Sequence, residues 1–510
     1  MVARAVDRAA AGESRRGSSR LMHDDGKSHV PIVAKKSPNN SADNTGGGDG
    51  AKGGGQGESV KQNTHLTQRG EAVRNALIRI REVAKRDKKA KFTALYHHVY
   101  NIDTLRLAFA RMKRKASPGI DGETWESYSK HLEENLQKLS ERLARKAYRA
   151  RPTRRVRIPK PDGGERLLGV PALEDKIVQS AAAMVLNAIY EVDFVGFSYG
   201  FRLQRGPHKA LDALYVAIQT KKVNWILDAD LKSFFDTIDH QWMQTFLEHR
   251  IADPYLIRLI LKWLKAGVME DGEWQDTDLG TPQGGVISPL LANIYLHYVF
   301  DLWTHHWRQT KAKGDLVAVR YADDFIVGFQ YPNEAREYLA DLRVRLQKFG
   351  LTLHPKKTRL IEFGRFAARN TARRDDGKPE TFDFLGFTHM SGKTRNGRFI
   401  VVRHTIRKRR ERKLAELGTE LKKRMHNSID QVGRWLGYVL RGYFAYHAVP
   451  TNGRTLVAFR RELERKWLTT LRRRSQRHRG KTWDWFRGVA ARYLPPVRIL
   501  HPYPLERFYG

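Results

Sequence analysis

The chain has 510 residues, no cysteine and a formal net charge of +38 at pH 7, and 41% of its residues are hydrophobic. The missing cysteines exclude disulfide frameworks, thiolate metal sites and thiol nucleophiles, and this apolar content excludes a wholly disordered chain. So large a positive surplus destabilises a compact fold unless a polyanion neutralises it. The composition therefore predicts several globular domains that bind nucleic acid, and no apolar stretch is long enough to predict a membrane span.

The first residues differ in composition from the rest of the chain. Residues 38–58 are mostly Gly, Asn, Ser, Asp and Lys, which bury little apolar surface. Residues 1–72 are therefore predicted to be a disordered, basic and Gly-rich tail. Beyond it, apolar residues at helical spacing predict helices over 74–87, 132–148 and 174–193.

The middle of the chain predicts strands, and its end predicts helices. Residues 223–238 are typical of a buried strand leading into a helix, and residues 316–329 are typical of two strands around a tight turn. From about Arg403 onward the chain is predicted to be helical. Residues 401–510 hold half of the net positive charge, which makes this end a candidate surface for phosphates.

Two adjacent acids, Asp323 and Asp324, lie at the tip of the predicted hairpin. Neighbouring carboxylates repel one another and need a cation, and hard oxygen ligands suit Mg²⁺. Aspartate is also a common turn residue, so the pair alone leaves an ordinary solvated turn open.

A second acidic site lies within residues 226–240, where the predicted strand ends and the predicted helix begins. An acid at the end of a buried strand is costly unless it is paired or bound to metal, which makes Asp230 the best candidate; a direct role for Asp228 stays open, and Asp236 and Asp239 are expected to be solvated on the next helix. One strand-end acid and two hairpin-tip acids form a cluster able to hold two Mg²⁺ ions. Such a cluster predicts in-line nucleotidyl transfer.

These motifs resemble those of the reverse transcriptases encoded within bacterial and organellar group II introns, also called intron maturases. The matching blocks, in chain order, are 117-SPGIDGETW-125, 158-IPKPDGGERLLGVPALEDKIVQ-179, 196-GFSYGFRLQRGPHKAL-211, 228-DADLKSFFDTIDH-240, 281-TPQGGVISPLLANIYL-296, 321-YADD-324, 351-LTLHPKKT-358 and 384-FLGF-387. The resemblance implies that Asp230 joins Asp323 and Asp324 as a catalytic metal ligand.

The resemblance also implies an α+β multi-domain fold. This is a right-hand polymerase with fingers, a palm built on an antiparallel sheet and a helical thumb, followed by a helical maturase domain X. The expected divisions are a tail over 1–72, an N-terminal extension and the start of the fingers over 73–150, fingers and palm over 151–400, and thumb with domain X over 401–510. No endonuclease domain is expected.

Four residues in these blocks are candidates for nucleotide binding. Lys160 and Arg166 flank a predicted turn and present two cations suited to a triphosphate. The family places a bulky sugar gate at the position of Phe235, which favours dNTPs, and it places Gln283 in the nucleotide pocket. A basic surface hairpin, ordinary packing of Phe235 and a helix cap at Gln283 are the open alternatives.

Two basic stretches are candidates for wider contact with nucleic acid. The first contains Lys356 and Lys357, for which a solvated turn is the alternative. The second interleaves cations with Trp483 and Trp485, an arrangement that lets cations bind phosphates while aromatic rings stack or pack beneath. Its candidate residues are Arg472, Arg473, Arg474, Arg477 and Arg479. A solvated helix face is the alternative there.

The expected activity is that of an RNA-directed DNA polymerase that also acts as a maturase. The expected partners are group II intron RNA, an RNA template with a DNA primer, target DNA and dNTPs, within a ribonucleoprotein in a bacterial cytoplasm. A free-standing or domesticated reverse transcriptase in DNA repair or defence is one alternative. A non-catalytic RNA-binding splicing factor is another, and the intact acids disfavour it. A monomer and a homodimer both stay open.

Overall fold

The computed structural model describes residues 56–159, 164–270, 273–275, 279–281, 284–375, 377–474 and 476–509. The helices before the first hairpin are α1 (Gln56–Arg86), α2 (Tyr96–Tyr100), α3 (Ile102–Ala110), α4 (Trp125–Ser129) and α5 (Leu132–Ala144). The elements up to residue 275 are β1 (Thr153–Pro159), β2 (Glu165–Val170), α6 (Leu173–Asp193), α7 (Pro207–Thr220), β3 (Trp225–Asp230), a 3₁₀ turn (Phe234–Asp236), α8 (His240–Glu248), α9 (Pro254–Leu264), β4 (Val268–Glu270) and β5 (Glu273–Gln275).

The remaining elements alternate helix and strand before becoming helical. They are α10 (Ser288–Leu296), a π-helical segment (His297–Asp301), α11 (Leu302–Thr310), β6 (Leu316–Tyr321), β7 (Asp324–Phe329), α12 (Pro332–Lys348), β8 (Arg359–Glu362), α13 (Ala367–Arg374), β9 (Phe382–Phe384), β10 (Phe387–Lys393) and β11 (Phe399–Thr405). The C-terminal helices are α14 (Arg407–Lys423), α15 (Ile429–His447), α16 (Gly453–Arg474), α17 (Gln476–Arg479), α18 (Trp483–Tyr493) and α19 (Pro504–Tyr509).

Helix α1 changes the predicted boundary of the N-terminal tail. Residues 1–55 lie outside the described residues, but α1 begins at Gln56, so residues 56–72, which we predicted to be disordered, are helical. The second half of α1 buries Val73, Ile80 and Ala84. Once that half is held by packing, each preceding residue extends the helix at little cost.

The central sheet has four strands in the order β6-β7-β3-β8, and every neighbouring pair is antiparallel. Strand β3 is covered on both faces, since Ile226 and Leu227 point to opposite sides and are both buried. The two other sheets have the orders β2-β1-β4-β5 and β11-β10-β9. The mixture of helices with antiparallel strands agrees with the α+β class predicted from the sequence.

The segment after β3 departs from the predicted strand-to-helix transition. Ser233 has a left-handed backbone, with φ of 48°, and the chain forms a 3₁₀ turn before α8 begins at His240. We expected Asp239 to be solvated. Instead its side chain accepts a hydrogen bond from the Trp242 backbone N–H at 2.9 Å and caps α8.

The C-terminal helices have a hydrophobic core of their own, which includes Leu436, Leu463, Trp467 and Phe486. Strand β11 continues to Thr405, so the helical region begins slightly later than we predicted from Arg403. In the described part of the chain, no helix is both long and apolar enough to cross a membrane.

Candidate active site

The three candidate carboxylates come from neighbouring positions at one end of the central sheet. Asp230, the last residue of β3, is the antiparallel partner of Asp324, the first residue of β7. Directly opposed residues in such a pair have Cβ atoms about 5 Å apart. Asp323 precedes Asp324 in the turn between β6 and β7. The acids therefore meet at the end of the sheet where the hairpin turns.

The turn that carries Asp323 is supported from behind by residues 196–202. Ala322 has φ of 58°, a backbone conformation that costs energy for a residue with a side chain. The Tyr199 backbone N–H donates to the Arg320 carbonyl at 2.8 Å. A Cβ atom added to Gly200 would lie 2.3 Å from the Ala322 nitrogen. The loop therefore lies directly against the backbone of the turn.

The carboxylates at this site repel one another. Burial raises the pKa of Asp324 well above its ordinary value, and the nearby charges of Asp230, Asp228 and Asp323 raise it further. Burial and the charge of Asp230 also raise the pKa of Asp323. Burial raises the pKa of Asp228 to about 6, although the Arg359 guanidinium donates to it at 3.1 Å. A cation at this end of the sheet would relieve this repulsion.

Lys357 supplies one such cation. Its Nζ donates to Asp230 Oδ2 at 2.6 Å, and this bond raises the pKa of Lys357. The backbone leading to it is anchored as well, because the His354 N–H donates to the Asp230 carbonyl at 2.8 Å. We had predicted Lys356 and Lys357 as contacts for nucleic acid. Both lysines are exposed, and Lys357 also pairs with Asp230 at the acidic site.

The acids have the chemistry of magnesium ligands, but their side chains are not arranged for metal coordination. Within the described ranges, no three acidic or histidine side chains are arranged as a ready-made metal site. However, Asp324 has no ion-pair partner among the residues described, and its pKa is raised by three other carboxylates. Partly buried carboxylates whose charges repel are suited to a hard divalent cation. The donor set therefore fits Mg²⁺.

Of the four nucleotide-binding candidates, two lie outside the described residues, namely Lys160 and Gln283. Arg166 lies exposed in β2 opposite Ile158 of β1. Its guanidinium is near enough to the acidic site to lower the pKa of Asp323. The hairpin therefore directs at least one cation towards the carboxylates.

Phe235 lies in the 3₁₀ turn after β3, half-buried, with its ring centroid 5.4 Å from that of Phe234. Its backbone carbonyl accepts a hydrogen bond from the Thr281 N–H at 2.8 Å. Gly280 approaches the same turn so closely that a Cβ there would lie 2.8 Å from the Phe235 oxygen. The strand-end turn and the chain leading to Gln283 are thus joined.

The C-terminal candidates fall into two groups. Arg472 donates from Nε and Nη2 to the Lys481 carbonyl at 2.9 and 2.8 Å, and Arg474 donates to the Asn427 carbonyl at 3.0 Å. These two arginines therefore connect segments of the helical region. Arg473 and Arg479 are exposed, and the side chain of Arg477 lies outside the described residues.

The aromatic residues of this region mostly pack against its core. Trp483 and Trp485 are partly buried against the core of the C-terminal helices, and the Tyr443 ring stacks on Phe459 with centroids 4.0 Å apart. Lys481 lies over the Trp485 ring at 5.1 Å. Packing against this core therefore accounts for these rings.

Sequence reasoning missed the side chains beneath the turn. Arg320 is completely buried and bonds to Asp301, Asn293, Ser198 and the Ala322 carbonyl. The sequence does contain a signal for this pair, namely an arginine within an apolar strand and an aspartate within an apolar helix. A charged residue is rarely buried without a partner of opposite charge, so the two could have been paired.

The sequence is similar to known proteins over the region that contains this acidic site. Residues 158–389 match the family described as Reverse transcriptase (RNA-dependent DNA polymerase). The Group II intron-encoded protein LtrA of Lactococcus lactis subsp. cremoris is 37% identical over 210 residues, which cover 40% of this chain and 34% of LtrA. An uncharacterized 91 kDa protein in the cob intron of Schizosaccharomyces pombe is 27% identical over 453 residues, which cover 74% of this chain and 54% of that protein.

Residues 158–389 thus form a reverse transcriptase region similar to that of group II intron-encoded proteins. Protein YkfC of Escherichia coli strain K12 is also similar, at 36% identity over 240 residues, which cover 41% of this chain and 63% of YkfC. The chain thus spans less than two thirds of the length of YkfC and of LtrA. The matched reverse transcriptase region contains the central sheet and all three carboxylates.

Proposed function

We propose that the protein is an RNA-directed DNA polymerase that also acts as a maturase for a group II intron. The observation that carries the proposal is the register of the central sheet, which opposes Asp230 to Asp324 beside the turn residue Asp323. These acids lie within the reverse transcriptase region. Residues 401–510, with their positive surplus, would bind the polyanionic partner.

Asp230, Asp323 and Asp324 would hold the two magnesium ions. When bound, the ions make a primer 3′-hydroxyl easier to deprotonate and offset charge on the triphosphate. Arg166 would add positive charge where the phosphates lie, as its effect on the pKa of Asp323 indicates. Phe235 would close the pocket against a 2′-hydroxyl and favour dNTPs. We assign Lys160 and Gln283 to the same pocket by resemblance.

The divisions of a right hand are also part of this proposal. The central sheet would form the palm, the β1–β2 hairpin would belong to the fingers, and residues 401–510 would comprise the thumb and domain X. Exposed cations such as Lys356, Arg473 and Arg479 are available to phosphates of intron RNA, of the template–primer duplex or of target DNA.

Two measurements on the full-length protein test the proposal. Sequencing the RNA that co-purifies from the native host is expected to yield one dominant excised intron, and primer extension on an RNA template is expected to yield cDNA. Active protein with a mixed RNA population would instead favour a domesticated reverse transcriptase. Intron RNA without cDNA would favour a non-catalytic splicing factor.

Magnesium is expected to stabilise the protein more at pH 8 than at pH 5. The raised pKa values of Asp323 and Asp324 mean that protons compete with the metal at low pH. Without metal, stability falls as pH rises through these values, because deprotonation exposes the repulsion. At about 100 times its Kd, magnesium would add about 2.7 kcal/mol.

Thermal unfolding with and without Mg²⁺ at both pH values measures this difference. Asp324→Asn is expected to lose most of the magnesium effect. An equal rise in Tm at pH 5 and pH 8 would argue against ligation by groups with raised pKa values.

A further inference from the structure

Arg320 is a completely buried arginine one residue before the 321-YADD-324 motif. Burying a guanidinium is costly unless its donors find partners. Its Nε and Nη2 donate to the two carboxylate oxygens of Asp301 at 2.6 and 2.5 Å, and Nη2 also donates to Ser198 Oγ at 2.7 Å. Nη1 donates to Asn293 Oδ1 and to the Ala322 carbonyl, both at 3.0 Å.

Asp301 lies where the long helix of residues 288–310 departs from α-helical geometry. The segment His297–Asp301 is π-helical, and such segments commonly occur at functional sites because they turn side chains away from the α-helical direction. Asp301 is completely buried, and burial raises its pKa whereas Arg320 lowers it. Its carboxylate meets Arg320 in the bidentate arrangement that fixes a guanidinium plane.

The guanidinium joins the catalytic turn to the loop behind it. Arg320 donates a hydrogen bond to the carbonyl of Ala322, the residue with the unfavourable φ of 58°. Asn293, which accepts from Arg320, donates from Nδ2 to the Gly200 carbonyl at 2.7 Å. Gly200 in turn lies against the Ala322 backbone. The turn is therefore held both directly by Arg320 and indirectly through Asn293.

We propose that Arg320 and Asp301 are positioning residues, which hold the turn so that Asp323 and Asp324 face Asp230. This inference rests on the proposed polymerase function. A buried ion pair adds little net stability compared with apolar residues of similar volume, so stability alone gives no reason for this pair. An apolar pair would fill the same space but would give the Ala322 carbonyl no donor.

Paired hydroxyl deletions give the mildest test. Ser198→Ala removes one acceptor of Arg320. Thr304→Val removes a buried hydroxyl from the long helix that contains Asp301, and this hydroxyl bonds to Tyr338 Oη at 2.7 Å, away from the turn. We expect Ser198→Ala to lower kcat about tenfold, with little change in KM for the template–primer duplex. Thr304→Val is expected to leave kcat within about twofold. Equal kcat values for the two variants would overturn the proposal.

A stronger test replaces the ion pair by apolar residues. The double variant Arg320→Met, Asp301→Leu retains volume, and we expect kcat to fall about 100-fold with Tm close to that of the wild type. A folded double variant with wild-type kcat would overturn the proposal. If the double variant does not fold, the comparison of Ser198→Ala with Thr304→Val decides alone.

Hydrogen exchange separates this inference from the proposed function. We expect faster amide exchange of residues 321–324 in Ser198→Ala and unchanged exchange in β3, while Thr304→Val matches the wild type at both places. If the wild-type protein makes no cDNA but the two variants show this exchange pattern, the polymerase function is refuted and the role of Arg320 in supporting the turn stands. Active protein whose turn exchanges equally in both variants would refute the positioning role alone.

Discussion

Asp324→Asn is expected to lower the kcat of cDNA synthesis about 10⁴-fold, a loss typical of removing a catalytic group. The same change is expected to raise the free energy of unfolding by about 1 kcal/mol at pH 8 without metal. Asp324 is partly buried beside Asp230, Asp228 and Asp323, and burial together with their charges raises its pKa. Asparagine has nearly the same shape without the charge. The site would therefore lose function while gaining stability.

The pH dependence of the gain follows from the direction of the pKa shift. A carboxyl whose pKa is raised by folding destabilises the protein increasingly as pH rises from its unfolded value towards its folded value. Asparagine lacks this loss, so the stability difference between variant and wild type should shrink at pH 5. Urea unfolding at both pH values measures the difference, and primer extension measures kcat.

A matched carboxylate elsewhere serves as the control for Asp324→Asn. Glu337 is exposed and pairs with Lys311 at 3.3 Å, remote from the hairpin turn, so Glu337→Gln should leave kcat unchanged and stability within about 0.5 kcal/mol. An Asp324→Asn variant that retains more than about a tenth of wild-type kcat would contradict the assignment of the catalytic site.

The acidic site was predictable because its geometry is local. The alternation of Val317, Val319 and Tyr321 marks a strand, and the paired acids after it mark a hairpin tip. The structure agrees, since Tyr321 and Asp324 pair across the turn. That Asp230 lies opposite Asp324 depends on pairing between distant strands, which the family resemblance supplied and strand patterning alone does not.

The residues that support the site were not predictable in the same way. Lys357 and Asp230 are 127 residues apart, so only tertiary packing brings them together. The pairing of Arg320 with Asp301 depends on a π-helical segment that hydrophobic periodicity does not reveal. The Thr281 N–H donates to the Phe235 carbonyl in the 3₁₀ turn, and the Gly280 N–H donates to the Ile238 carbonyl just after it. These distant backbone donors override the helical pattern of the local sequence.

Gly200→Ala is expected to reduce kcat about 100-fold, because small displacements of catalytic groups cost rate steeply. The added Cβ would lie 2.3 Å from the Ala322 nitrogen and 2.9 Å from the Tyr321 carbonyl carbon. Both are backbone atoms, which cannot rotate away as a side chain does. The loop and the turn must therefore separate, at a cost of about 1–3 kcal/mol in stability, and Asp323 would shift with the turn.

Gly206→Ala is the matched control, because this glycine lies in the same connection between α6 and α7, beyond the loop of residues 196–202. Its φ is −155°, and no atom lies within 4 Å of an added Cβ. Primer extension and thermal unfolding on both variants should therefore separate them clearly. Intron RNA affinity should stay unchanged in both, since the basic C-terminal helices have a core of their own. Equal activity of the two variants would mean that the loop does not set the position of the turn. Together with Asp324→Asn, which is expected to lose activity without losing stability, Gly200→Ala distinguishes the removal of a metal ligand from its displacement.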